Sequence, residues 1–258
     1  MFYVTNKDKI ISVAIALSTV LILFLLATTF KENSLGNTIE TSSGTSKLLP
    51  IYNVDTEESK VALTINCAWN AEDIDLILET LSKNEVKATF FMVGDWAAKF
   101  PDAVKKIHES GNEIANHSES HAHVNNLTYE KNVDEITKCS DRIKSLTGNP
   151  TTLYRGPYGE YNDTVIKAAD ANNHIMIQWN IDSLDYKGLT GEQMWDRIES
   201  KLDKGSIILM HNGTENTALS LDMIIKNIKE KGYNLVTVSE LIYKDNYSID
   251  NNGTQHKL

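Results

Sequence analysis

Between residues 60 and 237, short apolar runs alternate with segments of helical period, and this alternation limits the possible folds more than any other feature. Seven runs read as strands: 60–65 (KVALTI), 87–93 (KATFFMV), 113–115, 152–154, 174–179, 206–210 (SIILM) and 235–237. Segments 71–84, 96–109, 129–146, 163–171, 191–203 and 219–231 read as helices. In the first of these, Ile74, Ile77, Leu78 and Leu81 share one face; in the third, Val133, Ile136, Cys139 and Ile143 do. Asn70 stands where an N-cap belongs, with Glu72 and Asp73 in the first turn, and Gly148 and Gly232 sit past helix ends. Parallel strands need long crossovers, so the pattern predicts a parallel α/β sheet. An open doubly wound sheet and a closed barrel both satisfy it.

The placement of reactive side chains favours the barrel. Asn66 and Cys67 follow the first strand, His117 and His121 the third, Arg155 the fourth, Asp182 and Asp185 the fifth, and His211 the sixth. Side chains at many strand C-termini converge on one spot only where the sheet curls around it. No GxGxxG follows the first strand, which removes support for dinucleotide binding.

Four regions are expected. Residues 10–30 (IISVAIALSTVLILFLLATTF) carry no charge and are long enough to cross ~30 Å of hydrocarbon. Lys7 and Lys9 precede them, favouring an inside N-terminus and an outside body. Residues 1–30 are read as a retained signal anchor, with a cleaved leader and a secreted body as the alternative. Residues 31–57 read as a flexible linker, 58–245 as the folded body and 246–258 as a frayed tail. The formal net charge of −10, without a Lys/Arg run, argues against nucleic-acid binding. Two cysteines build no disulfide scaffold, and Cys67 and Cys139 are expected to stay unpaired. A monomer is the expected state.

His117-Ser-Glu-Ser-His121 is the strongest local signal: two imidazoles at i and i+4, read as one face of a helical turn, can grip one metal ion. Neutral imidazole suits Zn²⁺, with Co²⁺ or Ni²⁺ as alternatives. Arg155-Gly-Pro157-Tyr158-Gly is a compact turn with a cation at a strand end. His108, His123, His174 and His256 read as surface residues.

Taken in order, H-S-x-x-H, R-G-P-Y, W-x-x-D-x-x-D and L-x-H resemble the polysaccharide deacetylase family, the NodB-homology carbohydrate esterases, over residues 50–243. The lead-in PIYNVDTEESKVALT resembles the sporulation-type, PdaB-like branch. The resemblance implies a distorted (β/α) barrel of about seven strands. It also implies metal-dependent removal of N-acetyl groups from N-acetylglucosamine-containing wall or chitin-like glycan. His117 and His121 match its metal ligands, His211 its general acid, and Asp185 the carboxylate that orients that acid. Pro157 and Tyr158 match the oxyanion segment, and Leu209 the acetyl-methyl pocket. Trp179 and Tyr186 are candidates for sugar stacking or for core packing.

One motif departs from the family. Where it has T-F-D-D-G or T-F-D-A-A-W, this chain reads Thr64-Ile65-Asn66-Cys67-Ala68-Trp69. Asn66 stands at the general-base position, and an amide takes no proton from water at neutral pH. Arg155, which in the family steadies that base, then faces an amide. The third metal ligand falls to Cys67 or to Asp73, whose plainer readings are an apolar plug and a helix N-terminal charge. Two functions compete, a slow deacetylase and a catalytically silent glycan binder, with an esterase on other acylated sugars behind them. The metal pair, Arg155 and His211 favour the enzyme; Asn66 favours the binder.

Overall fold

A computed structural model describes residues 47–258. The apolar run 10–30 lies outside them, as does most of the segment read as a linker. No helix among the described residues is long and apolar enough to cross a membrane.

The strands, in chain order, are β1 (Asn53–Val54), β2 (Lys60–Cys67), β3 (Thr89–Met92), β4 (Glu113–Asn116), β5 (Leu153–Tyr154), β6 (Ile175–Met176), β7 (Ile181–Asp182), β8 (Ile207–His211), β9 (Asn234–Val236), β10 (Tyr247–Ile249) and β11 (Thr254–Lys257). The helices are α1 (Ile74–Lys83), α2 (Gly94–Lys99), α3 (Pro101–Glu109), α4 (Tyr129–Thr147), α5 (Asp163–Ala171), α6 (Gly191–Glu199), α7 (Thr217–Glu230) and α8 (Val238–Leu241). The main sheet runs β6-β5-β4-β3-β2-β8-β7, with β9 also paired to the start of β2. Its ladders are parallel, as the alternation predicts.

Alternation along β2 sets the two layers. Val61, Leu63, Ile65 and Cys67 join the outer core with Ile74, Ile77, Leu81 and Ile224 of the flanking helices. Ala62 joins an inner core with Phe91, Ala115, Ile177 and Ile207, plugged by Val238 and Leu241. Thr64 and Asn66 alternate with the outward set and so share the face of Ala62. The inner face is thus apolar low down and polar at the strand C-termini.

Several expectations need correction. The predicted strand 174–179 shortens to β6, and a further strand, β7, follows it at the opposite end of the sheet order. The predicted helix 96–109 breaks at Phe100–Pro101, since proline cannot supply the amide that would continue it. The first helix begins at Ile74, not 71, and the Asn70 side chain accepts from Glu72 N in a turn before it.

The linker and tail expectations also yield at the ends of the body. Ile51 is fully buried; its N–H donates to Met176 O at 2.9 Å and its carbonyl accepts from Gln178 N at 2.7 Å. Val54 N donates to Gly205 O at 3.0 Å, so residues 51–54 fill the gap between β6 and β8 and complete the curl. A Cβ on Gly205, at φ +74°, would sit 1.7 Å from Val54 O, so the approach demands glycine. In place of a frayed tail, β10 and β11 form an antiparallel pair, and β11 pairs in parallel with β1. Backbone pairing holds these short polar strands, and such pairing leaves no apolar period to read.

Candidate active site

Asn66, His117, His121, Tyr158, Trp179, Tyr186, Leu209 and His211, together with Ala68, Trp69, Gly159 and Asp182, line one cavity of about 400 Å³ at the strand C-termini. Eight of the residues singled out from the sequence thus lie around one cavity. Arg155 and Asp185 stand directly behind this wall, Arg155 bonded to Asn66 and His117 and Asp185 to His211 and Tyr186.

The histidine pair is not on a helix. His117 to His121 form an irregular loop after β4, with Ser118 at φ 70° and His121 at φ 57°. Left-handed backbone is rare outside glycine, and here it folds the loop so that the two rings meet edge to face, 5.2 Å apart. Two partners hold it. Asn116 Oδ1 accepts from Ser118 N, and Glu135 of α4 accepts from the Ser118 and Ser120 hydroxyls and from Ser120 N. Burial pushes the Glu135 carboxyl up, but these hydrogen bonds outweigh it and hold it below its ordinary value. Glu135 was not legible in the sequence; the one hint is a serine-rich loop that needs an acceptor.

His117 Nδ1 lies 2.7 Å from Arg155 O. A carbonyl only accepts, so Nδ1 carries the proton and Nε2 the lone pair. Burial first, then His121, pushes His117 well below its ordinary value; burial, then His211 and His123, lowers His121. Both are neutral imidazoles at neutral pH, as metal ligands must be.

Neither candidate for a third donor reaches the pair. Cys67 is fully buried in the outer layer, on the opposite face from Asn66, and does not line the cavity. Burial, then the charge of Asp73, raises its thiol well above the ordinary value, so it is not a thiolate. Asp73 is committed elsewhere: it accepts from Gly213 N at 2.7 Å and from Asn212 Nδ2 at 3.2 Å, tying α1 to the loop after β8. Among the described residues no group of three His, Cys, Asp or Glu is placed to hold a metal ion. Two imidazoles fall short of the three protein ligands of an open catalytic zinc site, so the donor set does not fit one.

Opposite the pair, His211 Nδ1 donates to Asp185 Oδ1 at 2.8 Å. Asp185 also accepts from His211 N, Tyr186 N and the Thr217 hydroxyl, which fixes it in a buried position. The His211 ring lies against Trp69, 5.3 Å away and nearly parallel, with Tyr186 edge-on at 5.3 Å. Trp69 was quoted in the departed motif but given no role; an aromatic just past a strand end was the available signal. Pro157 is buried and starts the turn that carries Tyr158, which stands at φ 59° with its ring over His123 and edge-on to His121. Tyr158, Trp69 and Tyr186 are 59%, 48% and 45% exposed, an aromatic rim around the mouth.

At the floor, Arg155 is wholly buried. Its Nη1 donates to Asn66 Oδ1 and to Thr64 Oγ1, both at 2.9 Å, its Nη2 to Gln178 O at 3.0 Å, and its Nε points to Ile177 O at 3.4 Å. All four acceptors are neutral. Its guanidinium lies 3.9 Å from the Phe91 ring centre, with Trp179 on another side at 5.3 Å. Burial lowers its pKa to about 9.

The chain that carries these groups, a histidine pair, a buried arginine and a carboxylate-held histidine, is similar to known proteins. The polysaccharide deacetylase family matches residues 53–177. The peptidoglycan-N-acetylglucosamine deacetylase of Bacillus cereus is 32% identical over 188 residues, covering 71% of this chain and 68% of that protein. The chain belongs to the polysaccharide deacetylase family. The uncharacterized protein YlxY of Bacillus subtilis is 35% identical over 75% of this chain, which spans 60% of YlxY's length. Among solved structures of family 4 carbohydrate esterases, a pseudoenzyme from Bacillus anthracis superposes with a TM-score of 0.73 at 32% identity, covering 81% of this chain and 73% of its own. The deacetylase PdaC of Bacillus subtilis gives 0.66 at 32%, covering 73% and 92%. The resemblance implies a metal and a general-base carboxylate, so the positions of Asn66, Cys67 and Asp73 bear on how far this member follows its relatives.

Proposed function

We propose that this chain binds N-acetylated wall glycan on a deacetylase scaffold and hydrolyses it slowly or not at all. The carrying observation is the hydrogen bond from Arg155 Nη1 to Asn66 Oδ1. The atom that a general base would use is absent, and the amide oxygen in its place is turned inward to the guanidinium. Loss of a general base costs ~10²–10⁴ in rate. The missing third metal ligand supports the same reading, and so does the likeness to a solved pseudoenzyme of the family. These two observations reverse the order in which sequence alone ranks enzyme and binder. The aromatic rim of Trp69, Tyr158 and Tyr186 supplies flat faces for pyranose rings. We place the body outside the membrane, held by residues 10–30.

A residual deacetylase is the second reading, favoured by the intact Asp185–His211 pair. Its metal would be Zn²⁺, Co²⁺ or Ni²⁺ at His117 and His121. Titration of N-acetylated chito-oligosaccharide, followed by tryptophan fluorescence and by acetate release with added Zn²⁺ or Co²⁺, separates the two. Saturable binding without acetate is expected; acetate release at many turnovers per minute would favour the enzyme.

A further inference from the structure

The strand that closes the barrel is gripped from outside by one histidine. Along β11, Gln255 turns inward and is fully buried, so its neighbour His256 turns outward. The His256 ring lies between two carboxylates. Nδ1 is 2.9 Å from Asp55 Oδ2, just past β1, and Nε2 is 3.4 Å from Asp250 Oδ2, in the turn between β10 and β11. An ionised carboxylate only accepts, so both contacts are satisfied only by an imidazolium, which carries two N–H donors. A neutral imidazole carries one; its other nitrogen would turn a lone pair toward an aspartate.

Both aspartates are fixed by further bonds. Asp55 N donates to Gln255 O at 2.8 Å, and the Tyr243 hydroxyl donates to Asp55 O at 3.0 Å. Asp250 Oδ1 accepts from Asn252 N and Thr254 N, both at 2.9 Å. The hydrogen bond to Asp55 first, then the one to Asp250, raises His256 above its ordinary value. The other charges near this spot are Glu57, Asp203 and Lys204 in the adjoining cleft, where Lys204 lies 3.3 Å from Glu57, and Lys257, which leaves the opposite face of β11. The gripped strand reaches the site: Ile51 O accepts from Gln178 N, and Gln178 O accepts from Arg155 Nη2 at the cavity floor.

We propose that His256 is a pH-sensitive clasp on barrel closure: charged, it ties residues 51–55 to the β10–β11 hairpin through Asp55 and Asp250, and on losing its proton to water it releases one of the two arms. A group that holds its proton more tightly folded than unfolded adds stability that is complete below its ordinary value of 6.5 and is lost as pH rises through the higher folded value. This direction is opposite to that of the buried His117, His121 and His174.

The test uses the full-length chain in nonionic detergent with ¹³C-labelled histidine. The His256 ring signal, assigned by its loss in His256→Gln, should titrate with a midpoint above 6.5. Asp55→Asn should bring that midpoint down further than Asp250→Asn, because its contact is the shorter. Hydrogen exchange, corrected for the intrinsic pH dependence of amides, should show protection of the Ile51, Val54 and Gln178 amides falling about two- to fivefold above the midpoint, the factor that one partly exposed ion pair supplies. His256→Gln should show the looser state at every pH, and the amides of β3 should not respond in either protein. A midpoint at or below 6.5, or the same pH profile of exchange in the wild type and His256→Gln, overturns the clasp.

Discussion

Arg155 is the residue on which the site's electrostatics turn. A buried guanidinium surrounded by neutral oxygens is an uncompensated charge, held by four hydrogen bonds and the face of Phe91. Leaving one member of a buried pair without its partner typically costs ~3–5 kcal/mol. Asn66→Asp supplies that partner, so urea unfolding at pH 7 should show a gain of stability, up to about that size. An unchanged or lowered unfolding midpoint would mean that the neutral acceptors already satisfy the arginine. The histidines add a second, opposite effect. His117, His121 and His174 all lie below their ordinary value of 6.5, each chiefly through burial. A histidine that binds its proton less well folded than unfolded makes unfolding take up protons. Stability is therefore untouched well above pH 6.5 and falls as pH drops through it. A melting-temperature profile should decline between pH 7 and 5, and His174→Gln should flatten part of the decline without touching the cavity.

At the scale of elements, helix α4 does work that its own sequence does not announce. Its N-cap Thr128 and its C-terminal Gly148 follow ordinary rules, and the glycine was read from the sequence. Glu135 was not: it is one acid among several on an exposed-looking face, and only the folded loop shows that it gathers Ser118 and Ser120. Glu135→Ala strands those donors, each worth about 1–3 kcal/mol if left without a partner. The loop should loosen, with faster amide exchange at Ser118 and Ser120 and weaker oligosaccharide binding, while the outer core melts cooperatively as before. Glu135→Gln keeps one acceptor and should recover part of the loss. The same reasoning explains what was legible in the site. Asn66, Arg155 and His211 each end an apolar run, so strand alternation and the convergence of C-termini locate them. Cys67 and Asp73 failed as ligand candidates because sequence order cannot show which face of β2 a last residue takes, or that Asp73 is engaged by Asn212 and Gly213.

For the whole molecule, closure depends on segments that look least like structure. The residues around Ile51, the hairpin β10–β11 and the glycine at 205 join the sheet edges through main-chain bonds. Gln255 is fully buried, its amide donating to Tyr243 O and accepting from Tyr243 N. Gln255→Ala should cost about 1–3 kcal/mol in chemical denaturation, more than a surface polar substitution would. A change within ±0.5 kcal/mol would show that the terminal hairpin adds little. The parallel alternation, by contrast, was readable throughout, because helices and buried strands each carry their own apolar period. The central claim remains that this scaffold binds glycan without the base that hydrolysis needs. Acetate release from N-acetylated chito-oligosaccharide, measured side by side for the wild type and Asn66→Asp with added Zn²⁺, tests it most directly. We expect no release above background from the wild type, and little from the variant, which regains the base but still has only two imidazoles for the metal; rapid release by the wild type would contradict the claim.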